Sequence, residues 1–543
     1  MITKLFFHQV GDNKKRLIWY WKLLIIIAVL AIVIYSWIDN FSSFNQFGLN
    51  VFINNITSLF TPNLNHEYTL VRFLAQTAFF VTGGSFLGFI FAILFSYWTA
   101  FKIQPFYIAL PIRLITIVLR AFPVLLFGFL FSNLFNKQLA ATLTISWFSF
   151  LWNTKYITTF FENSNLKYFF NKKIREGSGF KAFWTTIFLS ENERLWLFFL
   201  YSLEANFRWT TLLSIFGIGG IGQLIVDPLS IRVQFDLVLI PLVVLITFLI
   251  FIEVVVFLLS SFVFEKNSED LRPILKTTVI EKRKWKRIIF ILFIVVLISL
   301  SLANLVTIDY RINDAEFLQD FFNQFFQLKS NLFSSNDPNI NPILMLVKLT
   351  TQAISLISLV VIFSILFGFI SCNLFKKRFS ISFKILLLFV RVVPSILLFR
   401  LLDPLFLEAK TTIILVLLIN HGSSYGQLMA INFNKANQNI INNYKNHGMT
   451  KDFILWNYLL VENKPNLINI TSDAYDSGIR DLILFGSFGG SIIGSRITNF
   501  FERAQFDNLG SVTIPLMVYL IAIEIIFLSV RLTRISVFKN YLY

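Results

Sequence analysis

The chain has 543 residues, of which 56% are hydrophobic and only 14% are charged, and its formal net charge at pH 7 is +17. Its mean hydropathy of +0.69 excludes an ordinary solvated surface, so lipid must be the solvent for much of the chain. The single cysteine, Cys372, excludes an intramolecular disulfide, and the four histidines lack the spacing of metal ligands.

Apolar runs long enough to cross roughly 30 Å of hydrocarbon recur along both halves of the chain. In chain order they cover residues 20–37, 72–99, 106–132, 137–152, 196–226 and 234–263, and then 288–306, 346–375, 383–407, 409–432, 467–495 and 511–533. We therefore predict an all-α integral membrane protein with about twelve transmembrane helices, six in each half.

The basic residues indicate the orientation of these spans, because Lys and Arg are retained on the cytoplasmic side of a membrane. They concentrate before the first span, in segment 265–287 and at the C-terminus, whereas residues 38–70 contain no Lys or Arg. We predict a multi-pass protein of the cell membrane with both termini in the cytoplasm and with residues 38–70 and 307–345 outside. The same retention, together with contact with anionic membrane lipid, accounts for the net charge without a nucleic-acid partner.

The second half of the chain repeats the order of motifs of the first after about 271 residues. Because each half has an even number of predicted spans, the two repeats have the same rather than inverted topology. We predict a first repeat over residues 1–264, a basic cytoplasmic linker over 265–287 and a second repeat over 288–543. The recurring positions are Arg120 and Arg391, Pro123 and Pro394, Gly177 and Gly448, Glu204 and Asp476, Arg208 and Arg480, and Glu253 and Glu524.

Several recurring residues are charged although they lie in or beside apolar runs, where a charge costs about 2.5 to 3.5 kcal/mol near a helix centre. Arg120 and Arg391 each precede a proline by three residues. We interpret them as positioning residues at the mouth of a span that the proline bends. Glu253 and Glu524 are interpreted as structural pairing residues near the cytoplasmic ends of spans, with a proton-relay role as the alternative.

A glycine-rich run in the first half satisfies the spacing G-x-G-x-x-G of dinucleotide-binding sites. That fingerprint requires a strand and a βαβ unit around it, whereas this run belongs to an apolar span. We therefore interpret the glycines of both halves as helix-packing residues. They are Gly217, Gly219, Gly220 and Gly222 in the first repeat and Gly489, Gly490 and Gly494 in the second.

The residues before these glycines carry the most specific motif of the chain. The run Glu204-Ala205-Asn206-Phe207-Arg208, with the glycines that follow it, resembles the E-x-N-x-R … G-x-G-G-I-G signature of the phosphonate-type permeases of ATP-binding-cassette (ABC) importers. The second copy, Asp476-Ser477-Gly478-Ile479-Arg480, is similar, with Asp in place of Glu and Gly in place of Asn. The resemblance implies the fold of a type I ABC importer permease.

The same resemblance extends to two predicted cytoplasmic loops, residues 153–195 and 433–466, where such permeases carry the segment that docks on the ATPase. The family pattern is E-A-A, three residues, Gly, nine residues and I-x-L-P; in both copies the acid and the final proline of this pattern are absent. Because glycine can end one helix and let the chain turn, we predict short polar helices here, with simple solvated loops as the alternative. The predicted coupling residues are Lys172, Lys173 and Gly177 in the first loop and Tyr444 and Gly448 in the second.

From the resemblance we expect a fused, double-length membrane subunit, present in one copy, with two ABC ATPase subunits and an extracellular substrate-binding lipoprotein as partners. The chain has no phosphate-binding loop G-x-x-x-x-G-K-[ST]. We therefore expect no catalytic residue and no cofactor in it, and ATP and Mg²⁺ would be bound by the partner ATPase.

The expected cargo is a phosphonate or another phosphorylated organic anion. Arg208 and Arg480 are candidate pathway residues, because guanidinium groups bind phosphate oxygens by paired hydrogen bonds. Glu204, Asp476 and Asn206 belong to the same candidate set. In the alternative, each arginine pairs with the acid one helical turn before it, Arg208 with Glu204 and Arg480 with Asp476.

Two other functions are compatible with a chain of twelve predicted spans. A secondary transporter driven by an ion gradient also has two parallel six-span halves, but it does not require the glycine-centred loops. A membrane enzyme acting on lipid would require a cluster of His, Asp or Ser near one face, and the sequence contains none. The secondary transporter is therefore the alternative function.

Overall fold

The computed structural model of the protein describes residues 7–10, 14–17, 19–62, 67–164, 166–231, 234–264 and 273–534. Within these residues the only strands form a short hairpin, in which β1 (Phe7–Val10) pairs antiparallel with β2 (Lys14–Leu17). All other elements are helical, as the sequence predicts. The first part of the predicted linker, 265–272, lies outside the described residues, and 273–287 form the start of a long helix.

The helices of the first sequence repeat follow the order of the predicted spans. They are α1 (Trp19–Asn40), α2 (Gly48–Leu59), α3 (Glu67–Thr99), α4 (Phe106–Ala121), α5 (Val124–Leu134), α6 (Lys137–Glu162), α7 (Leu166–Glu176), α8 (Gly179–Phe183), α9 (Leu189–Leu213), α10 (Gln223–Ile231) and α11 (Leu239–Phe264). A π-helix, Trp184–Phe188, joins α8 to α9, and a 3₁₀ turn, Ser214–Phe216, follows α9. A second 3₁₀ turn, Phe235–Leu237, precedes α11.

The second repeat continues in the same order. Its helices are α12 (Pro273–Thr307), α13 (Ala315–Phe325), α14 (Ser330–Phe333), α15 (Pro342–Ser371), α16 (Lys377–Val392), α17 (Ser395–Leu402), α18 (Ala409–Asn434), α19 (Gln438–Asn446), α20 (Lys451–Ile454), α21 (Leu460–Glu462), α22 (Lys464–Leu484), α23 (Ile492–Glu502) and α24 (Phe506–Arg534). A π-helix, Leu455–Leu459, joins α20 to α21. The 3₁₀ turns Asp403–Leu405 and Phe485–Phe488 follow α17 and α22.

Seven helices in the described part of the chain are long and apolar enough to cross a membrane, and the number rises to nine if each of two bent helix pairs counts as one span. The bent pairs are α4 with α5 and α16 with α17. The remaining predicted spans correspond to α6, α9 and α22, which are long but more polar. The integral membrane class is therefore confirmed, whereas the number of twelve spans stays a prediction.

Proline causes the break in each bent pair. In the first pair, α4 ends at Ala121, α5 starts after Pro123 and the two helices meet at 76°. Proline lacks the N–H that would continue the hydrogen-bond ladder, and it disfavours helical geometry in the residue before it, so Phe122 is extended. Pro394 occupies the same place between α16 and α17. The predicted bends at both prolines are confirmed.

The helices pack into two compact units that do not coincide with the two sequence repeats. Unit 1 takes its residues from Met1–Leu49, Phe333–Arg391 and Leu402–Ser495. Unit 2 takes them from Asn50–Leu332, Val392–Leu401 and Arg496–Tyr543. The first helix of the first repeat, α1, therefore belongs to the unit that holds the core of the second repeat, and α12 belongs to the unit that holds the core of the first.

In unit 1, α1 packs on α15 through small polar side chains. The Asn40 amide donates to the Ser355 hydroxyl at 3.1 Å, and the Ser355 hydroxyl donates to the Ser36 carbonyl oxygen at 2.8 Å. The Trp37 indole N–H donates to the Ser358 hydroxyl at 2.9 Å. Polar groups buried among apolar side chains require such partners, so these contacts hold α1 against α15.

In unit 2, α12 packs on α3 and α6 by the same chemistry. The Ser301 hydroxyl donates to the Thr82 carbonyl oxygen at 3.1 Å, and the Asn304 amide donates to the Thr142 hydroxyl at 3.2 Å. Glycine at position 83 permits this approach, because a Cβ on Gly83 would lie 2.2 Å from the Asn304 amide nitrogen. Each first helix thus completes the core of the other repeat.

Each of the two loops that the sequence predicts to lie outside the membrane contacts the end of a bent helix pair within its unit. In unit 1 the Asn45 backbone N–H donates to the Leu405 carbonyl oxygen at 2.8 Å, and in unit 2 the Asn313 N–H donates to the Leu134 carbonyl oxygen at 2.8 Å. In both cases the loop after the first span of one repeat contacts the last residue of the bent span of the other.

Candidate functional site

The first predicted coupling loop consists of a short helix, a glycine turn and a second short helix. Helix α7 ends at Glu176, Gly177 has a φ of +67°, and Ser178 caps α8 by accepting a hydrogen bond from the Lys181 N–H. No neighbouring atom lies within 4 Å of the place that a Cβ on Gly177 would take. The left-handed backbone conformation, rather than lack of space, therefore requires glycine here.

The second predicted coupling loop has the same succession of elements. Helix α19 ends at Asn446, Gly448 has a φ of +72°, and Thr450 caps α20 by accepting a hydrogen bond from the Phe453 N–H. A Cβ on Gly448 would also have no neighbour within 4 Å. The short polar helix ended by glycine that the sequence predicts is thus present in both repeats.

A five-residue π-helix follows the glycine turn in both loops. The two π-helices start at Trp184 and Leu455, which are separated by the same 271 positions as Gly177 and Gly448. π-helical turns are rare in proteins, and many of those that occur lie at functional sites. The sequence does not predict them, because a π-turn has no characteristic residue type. The two halves of the chain therefore share this backbone irregularity as well as the sequence motifs.

Both loops are anchored by buried residues. In unit 2, Phe169 of α7 and Phe183 of α8 are 0% and 1% exposed. In unit 1, Ile441 of α19 is 2% exposed, and the Tyr458 hydroxyl of the π-helix accepts a hydrogen bond from the Asn437 backbone N–H at 3.1 Å. The outward surfaces of α7 and α19 are therefore presented on a fixed base.

The predicted coupling residues lie around these glycine turns. Lys172 forms an ion pair with Glu176 at 3.5 Å, and the Lys173 ammonium lies 5.9 Å from the centroid of a phenylalanine ring of α7. In the second loop, Tyr444 packs against Tyr458, with ring centroids 6.0 Å apart. Lys172 and Lys173 thus lie on the solvated surface of their helix, whereas Tyr444 contributes to the anchor of the second loop.

The candidate pathway arginines each pair with the acid one turn earlier in the same helix. Arg208 Nη2 lies 3.1 Å from Glu204 Oε1, and Arg480 Nη2 lies 2.9 Å from Asp476 Oδ1. Glu204 and Asp476 are buried, so each carboxylate requires a positive partner. Of the two arrangements that the sequence allows, the structure contains the i,i+4 pair. Neither arginine therefore contributes an isolated positive charge.

Asn206 joins three helices of unit 2. It is 4% exposed, and its amide donates to the Ser85 and Ser149 hydroxyls, both at 2.7 Å, which connects α9 to α3 and α6. In the second repeat Gly478 takes its place, and a Cβ there would meet Leu356 at 3.1 Å. In the second repeat, glycine at this position therefore leaves room for Leu356 of α15.

The glycine-rich runs form turns after α9 and α22, so the predicted spans 196–226 and 467–495 are interrupted. Gly217 ends the first 3₁₀ turn with a φ of +68°, and Gly489 ends the second with a φ of +85°. An added Cβ would come within 3 Å of another residue at Gly220, Gly222, Gly490 and Gly494, whereas Gly217, Gly219 and Gly489 have no neighbour closer than 3.9 Å. The first group has the close packing that the sequence predicts.

Two of the charged contacts between helices involve residues that the sequence singles out or that differ between the repeats. Arg120 of α4 pairs with Glu524 of α24, with its Nε donating to Glu524 Oε2 at 3.1 Å. A structural pairing role for Glu524 agrees with this contact, although local spacing gave no indication of the partner. His421 Nε2 lies 2.9 Å from Asp481 Oδ2, which connects α18 to α22. The spans of the first repeat contain no histidine, so the His421 contact belongs to the second repeat alone.

Comparison with known proteins establishes the family. The chain is 99% identical over 543 residues to the ABC transport system permease protein p69 of Mycoplasma genitalium, and it covers 100% of both chains. It is 57% identical over 542 residues to the ABC transport system permease protein p69 of Mycoplasma pneumoniae, again over the full length of both. The chain belongs to the p69 family of ABC transport system permease proteins. No protein-family model and no solved structure matches it.

Membership in the p69 family makes this chain a membrane component of an ABC transport system, and a transport component rather than an ATPase. This agrees with the apolar spans and with the lack of a phosphate-binding loop in the sequence. The resemblance is therefore confirmed at the level of an ABC permease. The phosphonate-type subfamily stays a prediction.

Proposed function

We propose that this chain is the membrane subunit of an ATP-driven importer and that it supplies both permease halves from one polypeptide. The observation that carries the proposal is the recurrence of the helix, glycine turn and π-helix at the same offset in both repeats. Two equivalent loops on one chain would serve two ABC ATPase subunits, so one copy of the chain would suffice per complex.

The anchoring of the loops suggests how the ATPases would drive transport. Because Phe169 and Ile441 are buried at their bases, α7 and α19 would move together with the helices that hold them. Closure of the ATPase pair on ATP would then shift the loops and convert the permease from inward-open to outward-open. Hydrolysis of ATP, with its Mg²⁺, would take place in the partner and would reset the permease.

We propose a phosphonate or another phosphorylated organic anion as the cargo, delivered by an extracellular substrate-binding lipoprotein. The resemblance of the Glu204–Arg208 run to the phosphonate-type signature supports this substrate class. Since Arg208 and Arg480 are each paired with an acid, they would bind a phosphoryl group only in a state in which these pairs open. Selection of the cargo would therefore reside mainly in the binding protein.

Transport by the reconstituted complex tests the proposal. The full chain would be placed in liposomes with its ATPase and binding protein, and uptake of radiolabelled methylphosphonate would be measured with and without ATP. We expect uptake that requires ATP and is lost with an ATPase variant unable to hydrolyse it. Uptake by the chain alone in response to an imposed proton or sodium gradient would contradict the proposal and favour the secondary transporter. ATP-driven uptake of a different solute would contradict only the substrate class.

A further inference from the structure

We infer that the two coupling loops bind the ATPase subunits unequally and that the first loop, through its segment 166–189, forms the main attachment. The inference rests on the proposed function, since it takes the ATPase as the occupant of both loops. It goes further by assigning unequal strength to two sites that the repeat alone would make equivalent. Three differences between the loops carry it.

The first difference is charge. The segment 166–189 contains five basic residues and one acidic residue, whereas 438–461 contains two basic residues and one acidic residue. The residues are Lys167, Lys172, Lys173, Arg175, Lys181 and Glu176 in the first loop, and Lys445, Lys451 and Asp452 in the second. The first loop therefore complements an acidic surface of a partner much more strongly than the second.

The second difference is the apolar surface exposed on the helix before each glycine turn. Phe170 and Ile174 lie one turn apart on α7 and are 44% and 82% exposed, so they form one apolar patch among the bases. In α19 the residue at the place of Ile174, three positions before the glycine, is Lys445. The exposed surface of α19 contains the amides of Asn442 and Asn443 and one half-exposed isoleucine, Ile440. The other exposed apolar side chains of the second loop, such as Trp456 at 67%, come after its glycine and not on the helix before it. Apolar anchors bordered by charge supply most of the binding energy of protein interfaces.

The third difference is the rotation of the helices about their axes. The buried anchor Phe169 precedes Gly177 by eight residues, whereas the buried anchor Ile441 precedes Gly448 by seven. One residue corresponds to about 100° around an α-helix. The surface opposite the anchor therefore has a different direction relative to the glycine turn in the two loops. Identical ATPase subunits would consequently meet two different helix faces.

A protein partner explains both loops better than lipid does. A basic helix with exposed aromatic residues, such as α7, is also compatible with the membrane surface. However, α19 ends at the same kind of glycine turn, and its sequence contains one lysine and one aromatic residue against four basic and three aromatic residues in α7. Since α7 and α19 share the glycine turn but not the basic, aromatic composition, we take docking on protein as the function that the two helices share.

Binding measurements on the full chain in lipid nanodiscs test the inference, with the purified ATPase of the same transport system as the probe. Ile174→Asn gives the first loop the amide surface of the second, and we expect it to weaken ATPase binding about tenfold. The equivalent change in the second loop, Lys445→Asn, should weaken binding less than threefold. The reciprocal variant Lys445→Ile should tighten binding. Ile174 is almost fully exposed, so its replacement should leave the elution volume and thermal midpoint of the chain unchanged.

Salt provides a second measurement that does not depend on Ile174. Binding of the unmodified chain should weaken as salt rises, because surface charges are screened. The triple variant Lys172→Gln, Lys173→Gln and Arg175→Gln should lose most of that dependence, whereas Lys445→Gln with Lys451→Gln should retain it.

The remaining outcomes distinguish failure of this inference from failure of the proposed function. Equal losses from Ile174→Asn and Lys445→Asn would overturn the inference and leave the proposed function intact. If the unmodified chain did not bind the ATPase at all, the proposed function would fail. To test for lipid, a fluorophore would be attached after Ile174→Cys in a Cys372→Ser background. Blue-shifted emission before the ATPase is added would place α7 on the membrane and would also overturn the inference.

Discussion

Arg120 and Glu524 form an ion pair within unit 2, although 404 residues separate them along the chain. The Arg120 Nε donates to Glu524 Oε2 at 3.1 Å, and the two side chains are only 10% and 12% exposed. Arg120 lies at the end of α4, directly before the bend at Pro123, whereas Glu524 lies in the last helix of the chain. The pair therefore connects the bent span of the first repeat to the last span of the second.

Removing one charged side chain of this pair should destabilise the chain more than swapping the positions of the arginine and the glutamate. Arg120→Met leaves the Glu524 carboxylate buried without its main cation, and we expect a loss of about 3 kcal/mol in stability. The double variant Arg120→Glu with Glu524→Arg should recover part of that loss. Thermal midpoints of the chain in detergent would measure both effects. A double variant no more stable than either single one would show that the pair does not act as a unit.

Gly83→Val should displace α12 from unit 2. A Cβ at this position would lie 2.2 Å from the Asn304 amide nitrogen, so overpacking should cost about 1 to 3 kcal/mol. Asn304→Ala in the same chain should recover part of this loss, because it removes the obstructing amide. The yield of monodisperse protein would measure the effect. Phe91→Val, on an exposed face of the same helix, serves as the control and should remain close to the unmodified chain.

The exchange of α1 and α12 predicts how separated halves behave. Segments 1–264 and 273–543, expressed together as two chains, should assemble into a stable complex, because each supplies the first helix that the other needs. Either segment expressed alone should aggregate, since polar residues such as Asn304 or Ser355 would lose their buried partners. Co-purification through a tag on one segment would measure assembly. A monodisperse, folded single segment would contradict the exchange.

The features that sequence predicted are those set by local chemistry. Pro123 bends a span because proline lacks a donor, and Gly177 ends a helix because it tolerates a left-handed backbone; both effects act within a few residues. The exchange of first helices depends on contacts between residues hundreds of positions apart. Asn304 appears in the sequence only as a polar residue within an apolar run, and Asn40 as one just after such a run. Nothing near either residue identifies the helix that it contacts.

In the candidate site, too, the sequence predicts local features but not the contacts between distant residues. Sequence spacing allowed Arg208 to face substrate or to pair with Glu204, because both residues lie on one face of a helix in either case. Only the side-chain positions distinguish the two, and they show the pair. The role of Asn206 in joining three helices likewise depends on Ser85 and Ser149, which belong to helices far away in the chain.

The Glu204–Arg208 pair should be more sensitive to the loss of one charge than to the loss of both. Glu204→Gln removes the carboxylate next to Arg208, and we expect a lower thermal midpoint, with a loss of about 2 kcal/mol. The double variant Glu204→Gln with Arg208→Gln should be closer to the unmodified chain. Asp476→Asn, alone and with Arg480→Gln, provides the matched comparison in the second repeat. A double variant less stable than Glu204→Gln would show that the two charges do not compensate each other.

Substitutions at Gly177 should report on backbone conformation alone, without an effect of side-chain packing. Because no atom would meet an added Cβ, any effect of substitution must come from the φ of +67°. The left-handed backbone conformation costs a residue with a Cβ about 1 to 2 kcal/mol. Among such residues the strain is highest for β-branched side chains and lowest for Asn. We therefore expect ATPase activity stimulated by the chain in the order Gly177, Gly177→Asn, Gly177→Ala and Gly177→Val.

The same series at Gly448, with a φ of +72°, provides the matched control for that order. If the glycines serve only to turn a solvated loop, Gly177→Val should lower the thermal midpoint slightly and leave the stimulated activity unchanged. If the turn sets the direction of the coupling helix, the activity should fall much more than the stability, because α7 would leave its anchor in a different direction. Full activity of Gly177→Val and Gly448→Val together would exclude a coupling role for both turns.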